Sequence, residues 1–257
     1  LSSVFRLIQN EQMKIFTRLR TWIMLAFVVL AVVSMGAMMK YVLESGMNHV
    51  LQFMSFSASL APLVTIFTVI VAGDSVASEF TWGTVKLLLI RPASRGKILL
   101  AKYVSVLLFI VELLLLMLII SYFTGLVLFG VSGSVAPDGT MPSILQGYGI
   151  KAIEIVMTAT LAFMISTVFR SSSLAIGLSI FLMFVSGTLV TILVQLRYTW
   201  VKYLLFANTD LTPYLHGGKP LVPGMTLGFS LAVLAAYWIV FYAISWLLFT
   251  KRDVAGS

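Results

Sequence analysis

Acids, bases and nucleophiles are scarce in this sequence, and they are not grouped for catalysis. The two histidines, His49 and His216, stand far apart in polar connecting stretches. Metal-bound or proton-moving chemistry needs His, Asp, Glu or Ser clustered at defined spacing. There is no His-Glu-x-x-His string and no pair of acids within an apolar block. With no cysteine, disulfides, thiolate metal sites and cysteine nucleophiles are excluded. A Gly-x-x-x-x-Gly-Lys-Ser/Thr phosphate loop is also missing. The Gly-Lys pairs Gly96-Lys97 and Gly218-Lys219 lack both the upstream glycine and the following hydroxyl residue. No catalytic residue, metal site or bound cofactor is therefore expected on this chain.

The charged residues with a suggestive pattern lie at 79–98, in Glu-Phe-Thr-Trp-Gly-Thr-Val-Lys-Leu-Leu-Leu-Ile-Arg-Pro-Ala-Ser-Arg-Gly-Lys-Ile. Glu79 to Ile90 can form a short helix with its acid near the N-terminal end and Lys86 further on, which suits the helix dipole. Pro92 disfavours helical geometry at Arg91, so a break is expected there. Ser94 is placed to cap the next helix. Such a short helix, joined rigidly to two membrane spans, could pass a push from a soluble partner into the bilayer. A basic interfacial loop that only sets topology is the competing reading of the same residues.

The surrounding elements are those of a membrane protein. Of 257 residues, 60% are hydrophobic and 10% charged, against about 25% charged in soluble domains. Apolar blocks run roughly 21–43, 53–76, 99–129, 149–169, 173–195 and 227–249. Each exceeds the approximately 20 residues that cross a 30 Å hydrocarbon core. The expected fold class is an all-α integral membrane protein of six spans, forming one transmembrane domain over 1–257. Residues 1–20 read as an amphipathic helix lying at the headgroup level, its Arg6, Lys14, Arg18 and Arg20 toward anionic lipid. They do not read as a cleavable signal peptide. Lys97 and Lys102 are expected to project from the long third block into the headgroups.

Net charge is +8. The basic residues sit at the ends of apolar blocks, so membrane orientation accounts for them and nucleic acid is not an expected partner. With the N-terminus inside, the inner segments carry the four basic residues of 1–20, then Lys86, Arg91, Arg95, Lys97, Lys102, Arg170, Lys251 and Arg252. The outer segments carry Lys40, Lys151, Arg197, Lys202 and Lys219. Twelve against five places both termini in the cytosol.

Segment 130–148 holds Gly130, Gly133, Pro137, Asp138, Gly139 and Pro142 and reads as an irregular outer loop. In 196–226, Tyr198, Trp200 and Tyr203 beside Arg197 and Lys202 suggest an interfacial or re-entrant segment with an aromatic belt. Within the spans, Glu112 either lines a pathway or makes a structural or dimer contact, the second being favoured. Asp74 is expected to meet donors at the headgroup level. Ser172, Ser179 and Ser186 recur at every seventh position, which suggests a packing face more than a polar stripe along a pathway.

Three segments resemble one family. Residues 72–103 resemble the signature stretch of ABC-2-type transporter permeases through Glu79, Gly83, Thr84, Lys86, Leu87, Leu88, Arg91, Pro92, Ser94, Arg95 and Lys102. The N-terminal LIQNEQMKIFTRLRTWIM is similar to the family's first cytosolic helix, with Glu11 and Lys14 in matching places. The ending WLLFTKRDVAGS resembles the family's last span, which stops at a Phe before Lys-Arg-Asp.

The resemblance implies a permease that pairs with a second permease, identical or related, in a bacterial cytoplasmic membrane. Each permease docks a cytosolic ATPase that holds ATP and Mg, so two ATPase copies are expected, and the usual direction of transport is export. Glu11, Lys14 and Arg18 would belong to the first contact with that ATPase. Glu79, Phe80, Trp82, Gly83, Thr84, Lys86, Arg91, Pro92, Ser94 and Arg95 would form the coupling helix over 79–92 and its flank. Glu112, Ser179 and Ser186 would be pathway or dimer contacts. A hydrophobic or amphipathic cargo (peptide, drug or lipid) suits the apolar interior. The competing readings are a non-transporting sensor or immunity subunit, an ion-coupled carrier and, least favoured, a membrane-embedded enzyme.

Overall fold

The computed structural model describes residues 2–82, 94–133, 139–169, 171–215 and 217–251, and no strand occurs among them. Lipid offers backbone groups no partner, so a crossing segment must bond to itself, as a helix does. In chain order the helices are α1 (Ser2–Phe16), α2 (Leu19–Tyr41), α3 (Val50–Ser57), α4 (Ala61–Thr81), α5 (Arg95–Phe129), α6 (Met141–Phe169) and α7 (Ser172–Gln195). The short α8 (Leu205–Asn208) and α9 (Thr212–Leu215) follow, then α10 (Leu227–Lys251). Among the described residues, six stretches are long and apolar enough to cross a membrane: α2, α3 continuing into α4, α5, α6, α7 and α10. The chain is an all-helical integral membrane protein.

The fifth and sixth apolar blocks match α7 and α10 within two residues at either end. The second and fourth spans run longer than their apolar blocks. Pro62 does not break the second span, because it stands in the first turn of α4 just after a 3-10 turn at Ala58–Leu60. Its missing N–H is not needed there. Likewise Pro142 occupies the first turn of α6, and Gly147 and Gly149 are helical. The expected loop over 130–148 therefore gives up its last eight residues to a helix. Gly130 ends α5 at φ +71°, a conformation that glycine adopts without steric cost.

α4, α5 and α6 form the interior of the bundle, while α2, α7 and α10 expose most of their surface. Phe53, Phe109, Phe163, Met54, Leu113 and Met117 fill the centre. In lipid such packing rests on close van der Waals contact, which small residues permit. At Gly73 of α4 an added Cβ would come within 3.0 Å of Ile176 Cγ1 on α7. On α7 itself, Ala175, Ser179, Ser186 and Val190 are buried. The Ser179 and Ser186 hydroxyls donate to their own helix, at Ala175 O (2.6 Å) and Met183 O (3.2 Å). Both serines thus face the packed side, while the neighbouring Gly177 and Gly187 look onto open space.

The described residues of 196–226 form no single interfacial helix. They fold as a 3-10 turn at Thr199–Tyr203 and the short α8 and α9, anchored by buried Val201, Leu205, Leu211, Val222 and Met225. Tyr198, Trp200 and Tyr203 are about half exposed, as a belt of interfacial aromatics would be.

Candidate functional site

The charges that the sequence scatters over 11–102 gather at the end of the bundle that carries α1. The chain ends α1 at Phe16, turns at Thr17 and Arg18, and starts α2 at Leu19. This corner lays α1 across α5. Ser105 Oγ donates to Ile8 O at 3.3 Å, Phe16 packs edge-on against Phe109, and Gln12 Nε2 donates to Glu112 Oε1 at 3.3 Å. The α1 residues concerned are spaced three to four apart, as are 102, 105, 109 and 112 on α5, so one face of each helix meets the other.

At the crossing, four side chains from three helices close a ring. Lys14 Nζ lies 2.7 Å from Glu11 Oε1 and 2.9 Å from Glu79 Oε1. Lys102 Nζ lies 2.8 Å from Glu11 Oε2 and 2.9 Å from Glu79 Oε1. Signs alternate around the ring, and each ammonium bridges both carboxylates. Lys102 is 2% exposed, so it is enclosed by protein and does not project into headgroups as expected. The reason is electrostatic: a desolvated ammonium is stable only when paired and hydrogen-bonded, and here two carboxylates supply that. Burial alone would raise the Glu11 carboxyl, but the ammoniums of Lys102 and Lys14 outweigh it and hold its pKa below the ordinary value. Lys14 mirrors this. Its partial burial would lower its pKa, and bonds to Glu11 and Glu79 raise it.

A second cluster adjoins the ring. Arg18 and Arg20, one on each side of Leu19, both pair with Asp74 of α4. The expected headgroup-level donors to Asp74 are thus two arginines of the chain itself. Ring and cluster together enclose a cavity of about 40 Å³, lined also by Ser75, Ser78 and Ser105. Just beyond, the Val76 and Ala77 N–H groups donate to Ser166 Oγ at 3.3 and 2.9 Å, tying α4 to α6.

The expected site residues separate into groups. Glu11, Lys14, Arg18 and Glu79 come together. Glu79 and Phe80 belong to the last turns of α4, so they extend the second span and do not open a separate short helix. Trp82 is the C-cap of α4 and is 78% exposed. Gly83, Thr84, Lys86, Arg91 and Pro92 lie outside the described residues. Ser94 stands at the N-cap of α5, but the contact is through its carbonyl, which accepts from Lys97 and Ile98; the side chain makes no capping bond. Arg95 Nη1 reaches the far end of α10, donating to Thr250 O at 3.3 Å. Glu112 meets Gln12 of the chain's own first helix. Ser179 and Ser186 lie on the α7 packing face, apart from the charges.

The sequence reading missed that Glu79 and Lys102 face each other. The signal was present: opposite charges at matching depth on the two spans that flank one short connection. It counted Lys151 among the outer cations but did not see its pairing: Lys151 lies in α6 and meets Glu154 at 2.9 Å. Among the described residues no three His, Asp or Glu side chains converge as a metal site would require. What the α1 end can do is mechanical: it locks one peripheral helix to two spans.

A family profile described as a protein of unknown function, DUF2705, matches residues 12–255. The chain belongs to the DUF2705 family. Two Bacillus subtilis (strain 168) proteins are similar to this DUF2705 chain. One, described as the uncharacterized protein YhcI, is 45% identical over 217 residues, covering 79% of this chain and 69% of its own length. The other, described as the uncharacterized membrane protein YdbK, is 32% identical over 244 residues, covering 94% and 99%. The family profile takes in every ring residue but Glu11.

Proposed function

We propose that this DUF2705 protein is the membrane-spanning permease of an ATP-driven exporter of the ABC-2 type. It would sit as a multi-pass protein in the cytoplasmic membrane, both termini cytosolic, paired with a second permease and powered by separate ATPase subunits. The observation that carries the reading is the ring of Glu11, Lys14, Glu79 and Lys102. Segment 83–93 leaves α4 two residues after Thr81 and enters α5 at Arg95. Glu79 stands just before it and Lys102 two turns after it, and α1 is clamped to both. A force applied at 83–93 therefore meets α1, α4 and α5 as one piece. Opening the ring would strand a buried charge, which costs about 3–5 kcal/mol where one partner of a buried pair is removed. The exposed Trp82 adds an apolar contact beside that segment for a docked partner. The cargo reading, a hydrophobic or amphipathic molecule, rests on the family resemblance and the apolar spans.

The test is purification of the tagged full chain from its native membrane in mild detergent, with identification of what accompanies it. A P-loop ATPase in stoichiometric yield is expected, with hydrolysis stimulated by cargo in proteoliposomes. Charge reversal at Lys86 or Arg91 is expected to leave membrane insertion intact while separating hydrolysis from transport. A chain that transports alone, or whose ATPase responds to compound with no movement of it, would replace this reading with a carrier or a sensor respectively.

A further inference from the structure

Glu112 is the central residue of α5, which runs Arg95–Phe129. An acid inside a span is costly unless its charge is compensated or removed. Its hydrogen-bond partner among the described residues is Gln12 of α1, whose Nε2 donates to Glu112 Oε1 at 3.3 Å. The other oxygen of each side chain, Glu112 Oε2 and Gln12 Oε1, is also buried. Neither has a hydrogen-bond partner among the described residues. A bonded pair thus leaves over two acceptors, one on each member.

No cation pairs with Glu112 among the described residues. On α1, Lys14 is engaged by Glu11 and Glu79, and Arg6 is exposed. Lys102 of α5 itself is held by the same two carboxylates. Arg18 and Arg20, at the entry to α2, pair with Asp74 of α4. Residues 21–39 of α2 and 50–57 of α3 carry no ionisable side chain. On α6, Lys151 meets Glu154, and Tyr148 Oη lies 2.9 Å from Ser57 Oγ. Tyr103 of α5 is bonded to Thr160 and to Trp238 of α10.

One proton satisfies both leftover oxygens. A neutral carboxyl has an O–H donor and keeps an acceptor, while a primary amide has N–H donors and a carbonyl acceptor. With hydrogen on Oε2, Glu112 donates to Gln12 Oε1 and still accepts from Gln12 Nε2, so acid and amide close a two-bond ring. Turning the amide over sets Gln12 Oε1 against Glu112 Oε1, and that contact needs the same proton. An ionised Glu112 would instead bury a charge against a neutral amide and leave both oxygens unpaired, which desolvation opposes.

We propose that the Gln12–Glu112 pair is a proton-binding site, in which Glu112 holds a proton at neutral pH and that proton fastens α1 to the middle of the third span. The ring of Glu11, Lys14, Glu79 and Lys102 attaches α1 by charge; this second attachment is neutral. Removing its proton would turn oxygen toward oxygen and loosen α1 from α5. The inference does not depend on the transport reading.

Infrared spectroscopy of the full chain in phosphatidylcholine vesicles tests it, because a protonated carboxyl has a C=O stretch apart from carboxylate and amide bands. At neutral pH the wild-type chain is expected to show an acid band that Glu112→Gln removes. Gln12→Leu is expected to move that band to higher frequency, since the acid loses its amide partner. Hydrogen exchange of α1 amides serves as the check on docking. Glu112→Gln keeps a two-bond pairing with Gln12 and is expected to match wild-type protection, whereas Gln12→Leu is expected to lower it several-fold. Loss of carboxylate bands and no acid band on Glu112→Gln would overturn the proposal. So would an acid band that Gln12→Leu leaves unmoved, or a fall in α1 protection on Glu112→Gln.

Discussion

Lys102 and Glu79 form a 2.9 Å ion pair between spans that leave and re-enter the bundle on either side of segment 83–93. The pair joins two helices whose covalent connection is the segment proposed to meet an ATPase. Because Lys102 also holds Glu11, the first helix follows the same pair.

Lys102→Ala is expected to be the most damaging single change in the ring. It leaves two carboxylates facing one ammonium, with a cost of about 3–5 kcal/mol. Glu79→Lys combined with Lys102→Glu should recover less than the full loss, since Lys14 then meets a like charge at position 79. Thermal unfolding in detergent, with a double-mutant cycle, reads both effects.

Docking of α1 should be flat across neutral pH and fail at both extremes. Glu11 has a lowered pKa, so its contribution is present above its ordinary value of 4.5 and is lost as pH falls through the lowered one. Lys14 has a raised pKa, so its contribution is present below 10.5 and is lost as pH rises through the raised one. Hydrogen exchange of α1 amides over this range is the measurement. A transition between about pH 6 and 8 would contradict the assignment of these two groups.

Gly73→Val should separate α4 from α7. The added Cβ meets Ile176 Cγ1 at 3.0 Å and the Ile176 backbone N at 3.3 Å, so the backbone itself must shift. A loss of about 1–3 kcal/mol is expected. Gly177→Ala on α7 faces open space and should be nearly silent in the same unfolding assay.

Tyr103→Phe should loosen the aromatic cluster of Tyr103, Trp238 and Tyr242 while keeping its volume. The Trp238 N–H and the Thr160 hydroxyl lose a shared partner. The Thr160 hydroxyl keeps its bond to Val156 O at 2.6 Å, but the Trp238 N–H is left unpaired, which costs about 1–3 kcal/mol. A shift of tryptophan emission and a lower unfolding temperature are the expected signs.

The apolar periods made the crossing helices legible, because a hydrocarbon core demands about 20 apolar residues whatever they pack against. One boundary was not legible. Pro142 looks like a breaker in a string of letters, yet a first helical turn accepts proline, and where that turn falls depends on neighbours. The ring was half legible. Glu11, Lys14, Glu79 and Lys102 all stand out by resemblance, but Lys102 reads as a lysine at a membrane edge. Only the crossing of α1 over α5 supplies the two carboxylates that make its burial tolerable. Sequence spacing along one helix cannot display a contact made by three.

Asp74 draws in the arginines on both sides of Leu19, where the backbone turns from α1 into α2. The elbow of the first span is thus pinned by a carboxylate that belongs to the second. Any tilt of the second span would swing that elbow with it, as a door moves its frame when the hinge screw is set in the neighbouring wall. Loosening the screw by Asp74→Asn would free the first span to move alone.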